Sequence, residues 1–132
     1  MGDFLMKKYD IFEVKKEIYN IYKNNSKSLY KTLYNLYNMN KTDLNLGISI
    51  YNEICNTINK DKLLKYINLL PITRNVRNKY LINKNVIISK PSRIILKANK
   101  IDENIIYILN NYDNYLFICD FKNKKYYWIN EL

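Results

Sequence analysis

The sequence predicts a single α+β domain in which about four or five N-terminal helices precede a small antiparallel β-meander. Apolar residues recur at three- and four-residue spacing across residues 1–80 of the 132-residue chain, as they do along one side of a helix. Short runs rich in β-branched residues, bounded by turn-forming residues, occupy positions 81–132. Helices followed by strands are typical of an α+β domain, and a chain of this length forms one domain with a modest core.

The first two helices are predicted from their spacing and their caps. Asp3 suits the N-cap of the first helix, which runs to the Asn24-Asn25-Ser26 cluster. The second begins near Ser26 or Ser28 and carries a stripe of leucines and tyrosines. The tyrosines suggest base stacking as one interpretation, but a stripe with helical spacing is more typical of a core. It comprises Leu29, Tyr30, Leu33, Tyr34, Leu36 and Tyr37.

The third and fourth helices follow. The third begins at Thr42 or Asp43 and continues to Ile58, although Gly47 costs it about 1 kcal/mol. The fourth spans residues 62–70 and is short, because a proline comes next in the chain.

Pro71 ends that helix, since it lacks an N–H and disfavours helical backbone in the residue before it. Pro71 also suits the first position of a fifth helix. On that helix Arg74 and Arg77 would share one face, because they are three residues apart. The apolar stripe of this helix recurs at every fourth position and comprises Ile72, Val76 and Tyr80.

Five strands are predicted after the helices. The first two are separated by Pro91, and the last three form the meander, with turns at 110–114 and 122–124. The predicted strands are 86–88, 94–96, 105–109, 115–119 and 126–129.

The positive charge of the chain is concentrated in one stretch, residues 62–100, which we call the basic segment. It contains ten of the 22 basic residues and no acidic residue, which leaves 12 basic against 12 acidic residues elsewhere. Such a segment favours contact with phosphates or with an acidic partner; a solvated face that keeps the protein soluble is the alternative. The residues predicted to bind a partner or nucleic acid are Arg74, Arg77, Lys79, Lys84, Lys90, Arg93, Lys97 and Lys100.

Catalytic patterns are missing from the sequence. The chain has no histidine, so it has neither a Ser-His or Cys-His nucleophile nor a histidine zinc site. Its two glycines, Gly2 and Gly47, cannot form a phosphate-cradling loop, and Asp102-Glu103 is the only adjacent acidic pair. We therefore predict a protein that is not an enzyme and that has no catalytic residues, no metal, no cofactor and no small-molecule ligand.

Residues 81–90, Leu-Ile-Asn-Lys-Asn-Val-Ile-Ile-Ser-Lys, resemble the "L-x-x-N-V-I-x-G-x" segment near the carboxyl end of the largest (β′) subunit of multisubunit RNA polymerases. Asn85, Val86 and Ile87 match directly, whereas Ser89 stands where the family has glycine. Pro91 comes two residues earlier than the family's Pro-x-Gly-Thr-Gly, whose glycines are absent here. The resemblance covers about a third of the chain, including a loose likeness of residues 49–63 to the helix that precedes this segment in β′.

A small, basic chain that resembles only this end of β′ is similar to the small RNA polymerase subunits of the linear cytoplasmic plasmids (virus-like elements) of yeasts. The resemblance implies a non-catalytic subunit that completes the clamp base of a large, fused β/β′-like subunit, with DNA and RNA present in the complex. It also implies a cytoplasmic location, which fits two lone cysteines and the lack of a signal or membrane-spanning segment.

The predicted subunit interface is Asn85, Val86, Ile87 and Ile88. Consecutive side chains of a strand point to opposite faces, so three successive β-branched residues need cover on both faces. The small domain has little cover to spare, which favours a second protein chain.

Two other classes of function remain open. One is a stand-alone nucleic-acid binder of an AT-rich virus or plasmid, specific for termini or single strands, with Tyr126, Tyr127 and Trp128 as a stacking platform. The other is an inhibitor that sequesters a host factor, for which no sequence signature exists.

Overall fold

The computed structural model describes residues 6–70 and 73–132, without the side chains of Lys41 and of residues 73–75. Eight strands and five α-helices lie in these ranges, with 3₁₀ turns at Lys41–Asp43 and Ile129–Glu131. The strands are β1 Lys7–Val14, β2 Cys55–Asn56, β3 Thr73–Val76, β4 Lys79–Ile82, β5 Asn85–Ser89, β6 Ile94–Ala98, β7 Leu116–Asp120 and β8 Lys125–Trp128. The helices are α1 Lys16–Tyr22, α2 Ser26–Tyr37, α3 Leu44–Ile54, α4 Lys60–Ile67 and α5 Glu103–Tyr112.

All the strands belong to one sheet of order β3-β4-β5-β6-β1-β7-β8, with the short β2 paired to the end of β1. The strand pairings are antiparallel, and β1 lies in the middle between β6 and β7. Strand β1 therefore joins two hairpin-connected groups that come much later in the chain, one beginning at Thr73 and the other at Leu116.

One face of the sheet, which we call the inner face, is fully packed. Its central residues are Tyr9, Ile11, Ile87, Leu96 and Ile118, and α4 and α5 cover them. Helix α5 contributes four buried residues at the spacing of one helix face, namely Ile105, Ile108, Leu109 and Tyr112.

The other face, which we call the outer face, is covered only in part. Helices α1, α2 and α3 pack on Phe12, Val14, Phe117, Cys119 and Trp128, which belong to β1, β7 and β8. The outer-face residues of β3–β6 are absent from this cluster. Helices thus cover both faces of the sheet at β1, β7 and β8, but only the inner face at β4–β6.

The predicted order of helices first and a small meander afterwards is wrong. A strand comes first, the sheet draws on the whole chain, and α5 lies between β6 and β7. The second, third and fourth predicted helices are present as α2, α3 and α4, although the third ends at Ile54 and not at Ile58, and the fourth spans Lys60–Ile67 and not 62–70. Strands lie close to the predicted 86–88, 94–96, 115–119 and 126–129.

Residues 7–14 form β1 and not part of a first helix. Four consecutive residues, Tyr9–Phe12, are buried, because helices cover both faces of this central strand. Burial on both faces removes the polar–apolar alternation that identifies a strand from sequence.

The predicted fifth helix is a β-hairpin. Val76 pairs with Lys79 across the turn at Arg77-Asn78, and Tyr80 and Ile82 are buried on the inner face. The predicted roles of Pro71 and Ile72 lie outside the described residues.

The predicted strand 105–109 is helix α5. The Asp102 carboxylate accepts a hydrogen bond from the Ile105 backbone N–H at 3.0 Å, so Asp102 is the N-cap of this helix. Asp102-Glu103 is therefore a helix start, a signal that was present in the sequence.

Candidate interaction surface

We call the outer face of strands β3–β6 and of the adjoining start of β1 the open face; its described side chains are exposed or half-buried except Asp10 and Ile95, which are buried. Cross-strand pairing arranges its residues in two rows. The first row runs Lys8, Lys97, Val86, Leu81 and the backbone position of Arg74. The second runs Asp10, Ile95, Ile88, Lys79 and Val76.

Lysines and aliphatic side chains share this face. Lys8, Lys79 and Lys97 are exposed, whereas Leu81, Val86 and Ile88 are half-buried. Lys8 and Lys97 lie directly opposite one another, a like-charge pairing that is destabilising unless an anion lies nearby. The open face is therefore a strip of aliphatic surface edged by positive charge.

Asp10 is the single acidic side chain in these rows, and it is already paired. It is 2 % exposed, and its Oδ1 accepts a hydrogen bond from Arg93 Nε at 2.7 Å. Lys8 Nζ lies 4.0 Å from the same oxygen. Within the described ranges these are the only ion pairs, so Lys79 and Lys97 have no carboxylate partner there.

Tyr37 marks the boundary between the open face and helix α2. Its hydroxyl lies 3.2 Å from Lys8 Nζ, and its ring packs against Phe121 with centroids 4.7 Å apart. The Arg93 guanidinium lies 5.9 Å from the ring centroid. Lys8, Arg93 and Tyr37 thus form a positively charged corner beside the buried Asp10.

A groove opens at this corner between α2 and α3, with a cavity volume of about 430 Å³. Its lining includes Phe12, Leu36, Tyr37, Leu44, Ile48 and Arg93. The groove therefore shares Tyr37 and Arg93 with the corner that adjoins the open face. Of these residues only Arg93 was predicted to bind a partner; the helical spacing of Leu36 and Ile48 favoured a core position.

Helix α3 is the least buried helix of the outer layer. It has no buried residue, and Leu44, Leu46 and Ile48 are 58 %, 59 % and 48 % exposed. The Tyr51 hydroxyl anchors the helix by donating to the backbone carbonyl of Asn56 or Ser92, at 3.0 and 2.8 Å. A surface helix ordinarily turns its apolar stripe to the core, so the apolar exposure of α3 needs an explanation.

The four predicted interface residues divide between the two faces. Asn85, Ile87 and Ser89 point inward and are buried, whereas Val86 and Ile88 lie on the open face. Asn85 donates from its amide to the Asp102 carboxylate at 3.0 Å, which ties the β4–β5 turn to the start of α5. Intramolecular contacts thus account for Asn85 and Ile87, and only Val86 and Ile88 are placed to meet a partner.

The predicted binding cations do not form one cluster. Lys79 and Lys97 lie on the open face. Arg77, Lys90 and Arg93 lie at one end of the sheet, in the β3–β4 turn and the β5–β6 loop. Lys84 and Lys100 lie at the other end of the sheet, in the turn after β4 and shortly after β6. Of these seven cations, all except Arg93 are exposed. The side chain of Arg74 lies outside the described set.

The aromatic residues of the tail belong to the core rather than to a stacking platform. Trp128 is 1 % exposed, and its indole N–H donates to Ser26 Oγ at 2.8 Å. Tyr126 stacks on Tyr30 with ring centroids 4.9 Å apart, and Tyr127 packs against the inner-face core. Base stacking on Trp128 would require this packing to open.

Both cysteine thiols of the chain lie in the core. Cys55 and Cys119 are free thiols and are buried. Burial raises the pKa of Cys55 to about 12, with a smaller contribution from Glu13, and burial also raises the pKa of Cys119. No group of three metal-ligating side chains occurs among the residues placed by the structure.

No helix within residues 6–70 and 73–132 combines the length and the apolar content needed to cross a bilayer. No protein-family model matches the chain, and no curated protein matches it.

Proposed function

We propose that this chain is a non-catalytic small subunit of a DNA-dependent RNA polymerase that docks on a large β/β′-like subunit through the open face. The observation that carries the proposal is the combination of half-buried Leu81, Val86 and Ile88 with the unpaired cations Lys79 and Lys97. Aliphatic side chains flanked by one sign of charge complement a partner surface with an apolar centre and an acidic rim.

The aliphatic character of the open face favours a protein partner over nucleic acid. Nucleic-acid platforms stack bases on aromatic rings. None of the described outer-face side chains of β3–β6 is aromatic, and Tyr37 at the boundary already stacks on Phe121. Aliphatic side chains gain free energy when a protein surface removes them from water.

The polymerase assignment comes from the resemblance of residues 81–90 to β′. This segment covers most of the β4–β5 hairpin, and three of its residues, Leu81, Val86 and Ile88, lie on the open face. In the proposed complex the large subunit carries the catalytic residues, and this chain completes the base of its clamp near DNA and RNA. The expected location is the cytoplasm, where the similar plasmid-encoded polymerases act.

Co-expression with the large, fused β/β′-like polymerase subunit tests the proposal. A stable one-to-one complex is expected on size-exclusion chromatography. The double variant Lys79→Glu, Lys97→Glu should bind at least about tenfold more weakly, a loss of about 1.4 kcal/mol. The matched control is Lys62→Glu, Lys65→Glu, which reverses two exposed charges of the same basic segment on α4. Equal binding by both double variants, or absence of a complex with the wild-type chain, would contradict the proposal.

A stand-alone nucleic-acid binder is the second candidate, and the opposed lysines Lys8 and Lys97 support it. Two like charges at adjacent positions of a sheet can share one phosphate. Tight, steeply salt-dependent DNA binding by the isolated chain, without a polymerase partner, would favour this candidate.

A further inference from the structure

We infer that the groove between α2 and α3 receives an apolar side chain from an acidic segment of the large subunit, and that the same segment continues onto the open face. This inference rests on the proposed function and names a second contact for the same partner. It predicts a segment with acidic residues on Lys8, Lys79 and Lys97 and an apolar anchor between α2 and α3.

The open face spans about five strands at ~4.8 Å spacing and strands of four or five residues at ~3.3 Å each, which makes a surface on the order of 300 Å². A stable interface commonly buries about 800 Å² on each partner. The open face alone is therefore too small, and a stable complex requires a neighbouring surface.

Helix α3 presents exposed apolar side chains next to the groove. Leu44 and Ile48 line the groove and remain 58 % and 48 % exposed, on a helix with no buried residue. Leu46 is exposed to a similar extent. These side chains contribute little to the folded core and would contribute more to an interface, because apolar burial stabilises by about 25 cal/mol per Å².

The groove and the open face meet at a positively charged corner. Tyr37 and Arg93 line the groove, and the same two residues form the positive corner with Lys8 at the start of the open face. A segment that leaves the groove at this corner meets Lys8 and then Lys97, which is paired with it on the open face. Acidic side chains suit that path, because Asp10 is buried and already bonded to Arg93.

The groove is open along the surface between two helices, which is the setting in which proteins bind apolar side chains of a partner's helix. A second copy of this chain is a poor occupant, because its net charge of +10 would oppose that of the first copy.

Site-directed photocrosslinking in the complex tests the inference. Ile48→p-benzoylphenylalanine should crosslink to the large subunit, and mass spectrometry should locate the crosslink in an acid-rich segment with an apolar residue at the crosslinked position. Ile21→p-benzoylphenylalanine is the matched control, because Ile21 is 67 % exposed on α1 and does not line the groove. A crosslink to nucleic acid, to a second copy of this chain, or with equal yield at both positions would overturn the inference.

Affinity measurements give an independent readout. Ile48→Glu and Leu44→Glu should each weaken the complex at least about tenfold, whereas Ile21→Glu should not. All three positions are exposed, so circular dichroism should show a folded chain. If Ile48→Glu and Leu44→Glu bind normally while Lys79→Glu, Lys97→Glu binds weakly, the groove is not an anchor site and the proposed function stands. If the wild-type chain forms no complex, both fail.

Discussion

At the scale of single residues, Arg93 changes its meaning once the structure is known. The sequence predicted that Arg74, Arg77 and Arg93 would bind a partner through their guanidinium groups. Arg93 instead bonds the buried Asp10 through Nε at 2.7 Å, and its Nη1 lies 3.2 Å from Ser92 Oγ. Its first role is to neutralise a carboxylate beneath the helical layer.

We predict that Arg93→Lys destabilises the fold itself. Lysine cannot reproduce the directed Nε–H bond, and a buried carboxylate that loses its partner costs on the order of 2–3 kcal/mol. Chemical denaturation should show a lower free energy of unfolding, without a change in m-value. Lys97→Arg, which keeps the charge of an exposed position, is the control and should leave stability unchanged. If Arg93→Lys is as stable as the wild type, Lys8 alone is enough to stabilise the buried Asp10 carboxylate.

The buried thiols lead to a prediction about alkaline pH. Burial raises the pKa of Cys55 from 9.0 to about 12, so between these values the unfolded state has lost a proton that the folded state retains. The free energy of unfolding should therefore be constant with respect to this group below about pH 9 and fall as the pH rises towards 12. In Cys55→Ala this fall should be smaller, and the thiol reagent DTNB at pH 8 should react with wild-type protein only after unfolding. Rapid reaction of both thiols with the folded protein would contradict the burial.

At the scale of elements, two hairpin turns carry residues that are unusual for their backbone. Arg77 in the β3–β4 turn has φ 58°, and Lys124 between β7 and β8 has φ 55°. Such left-handed positions cost a residue other than glycine about 1–2 kcal/mol. Asn83 also has positive φ, but asparagine tolerates this conformation better. Arg77 combines the strain with an exposed position at the edge of the open face.

We predict that Arg77→Gly and Lys124→Gly each stabilise the isolated chain by about 1 kcal/mol, because glycine adopts positive φ without the steric cost. Thermal unfolding should show a higher Tm for both variants. Arg77→Gly should also bind the large subunit more weakly, whereas Lys124→Gly should bind normally, since its turn lies at the other side of the sheet. If Arg77→Gly binds as well as wild type, the strained arginine has no role in docking.

At the scale of the whole molecule, the positive charge is spread over several surfaces. Lys62 and Lys65 lie on α4 above the inner face, whereas Lys79 and Lys97 lie on the outer face. The ten charges of the basic segment therefore cannot act together on one straight nucleic-acid backbone. The open face itself presents three exposed lysines, Lys8, Lys79 and Lys97.

This distribution predicts weak and shallow salt dependence of DNA binding by the isolated chain. Three phosphate contacts give a slope of log K against log salt no steeper than about −3, at about −0.9 per phosphate. Fluorescence anisotropy titrations of DNA binding at salt concentrations between about 50 and 300 mM NaCl measure this slope. A slope of about −5 or steeper, with tight binding, would reject the polymerase-subunit proposal in favour of a stand-alone binder.

We also expect the whole chain to depend on the large subunit for its folded, unaggregated state. The isolated chain should aggregate non-specifically or stay partly unfolded, because α3 and the open face expose apolar side chains, and co-expression with the large subunit should rescue it by mass action. Sedimentation velocity of the chain with and without the large subunit measures the difference. A fully monomeric chain at high concentration would show that these apolar surfaces need no cover.

The sequence by itself determined the elements whose signals are local. The helices α2 and α4 follow from apolar spacing, and β5 and β6 follow from β-branched runs. The lack of catalytic patterns and the position of the basic segment were also readable, because they depend only on residue type and order. The cap at Asp102 was readable too, and the misassigned strand 105–109 came from giving more weight to its β-branched residues.

Only the tertiary structure decided which residues form the surface. Whether Tyr9–Phe12 lie in a strand depends on cover from α5 on one face and α2 on the other, and those helices are distant in sequence. Likewise, the packing of distant helices on the sheet buries Ile87 on the inner face, whereas its neighbours Val86 and Ile88 stay half-buried on the open face. Local propensity is a property of neighbouring residues, but burial and exposure are properties of which distant segments pack together. For that reason the open face and the α2–α3 groove became visible only in the folded chain.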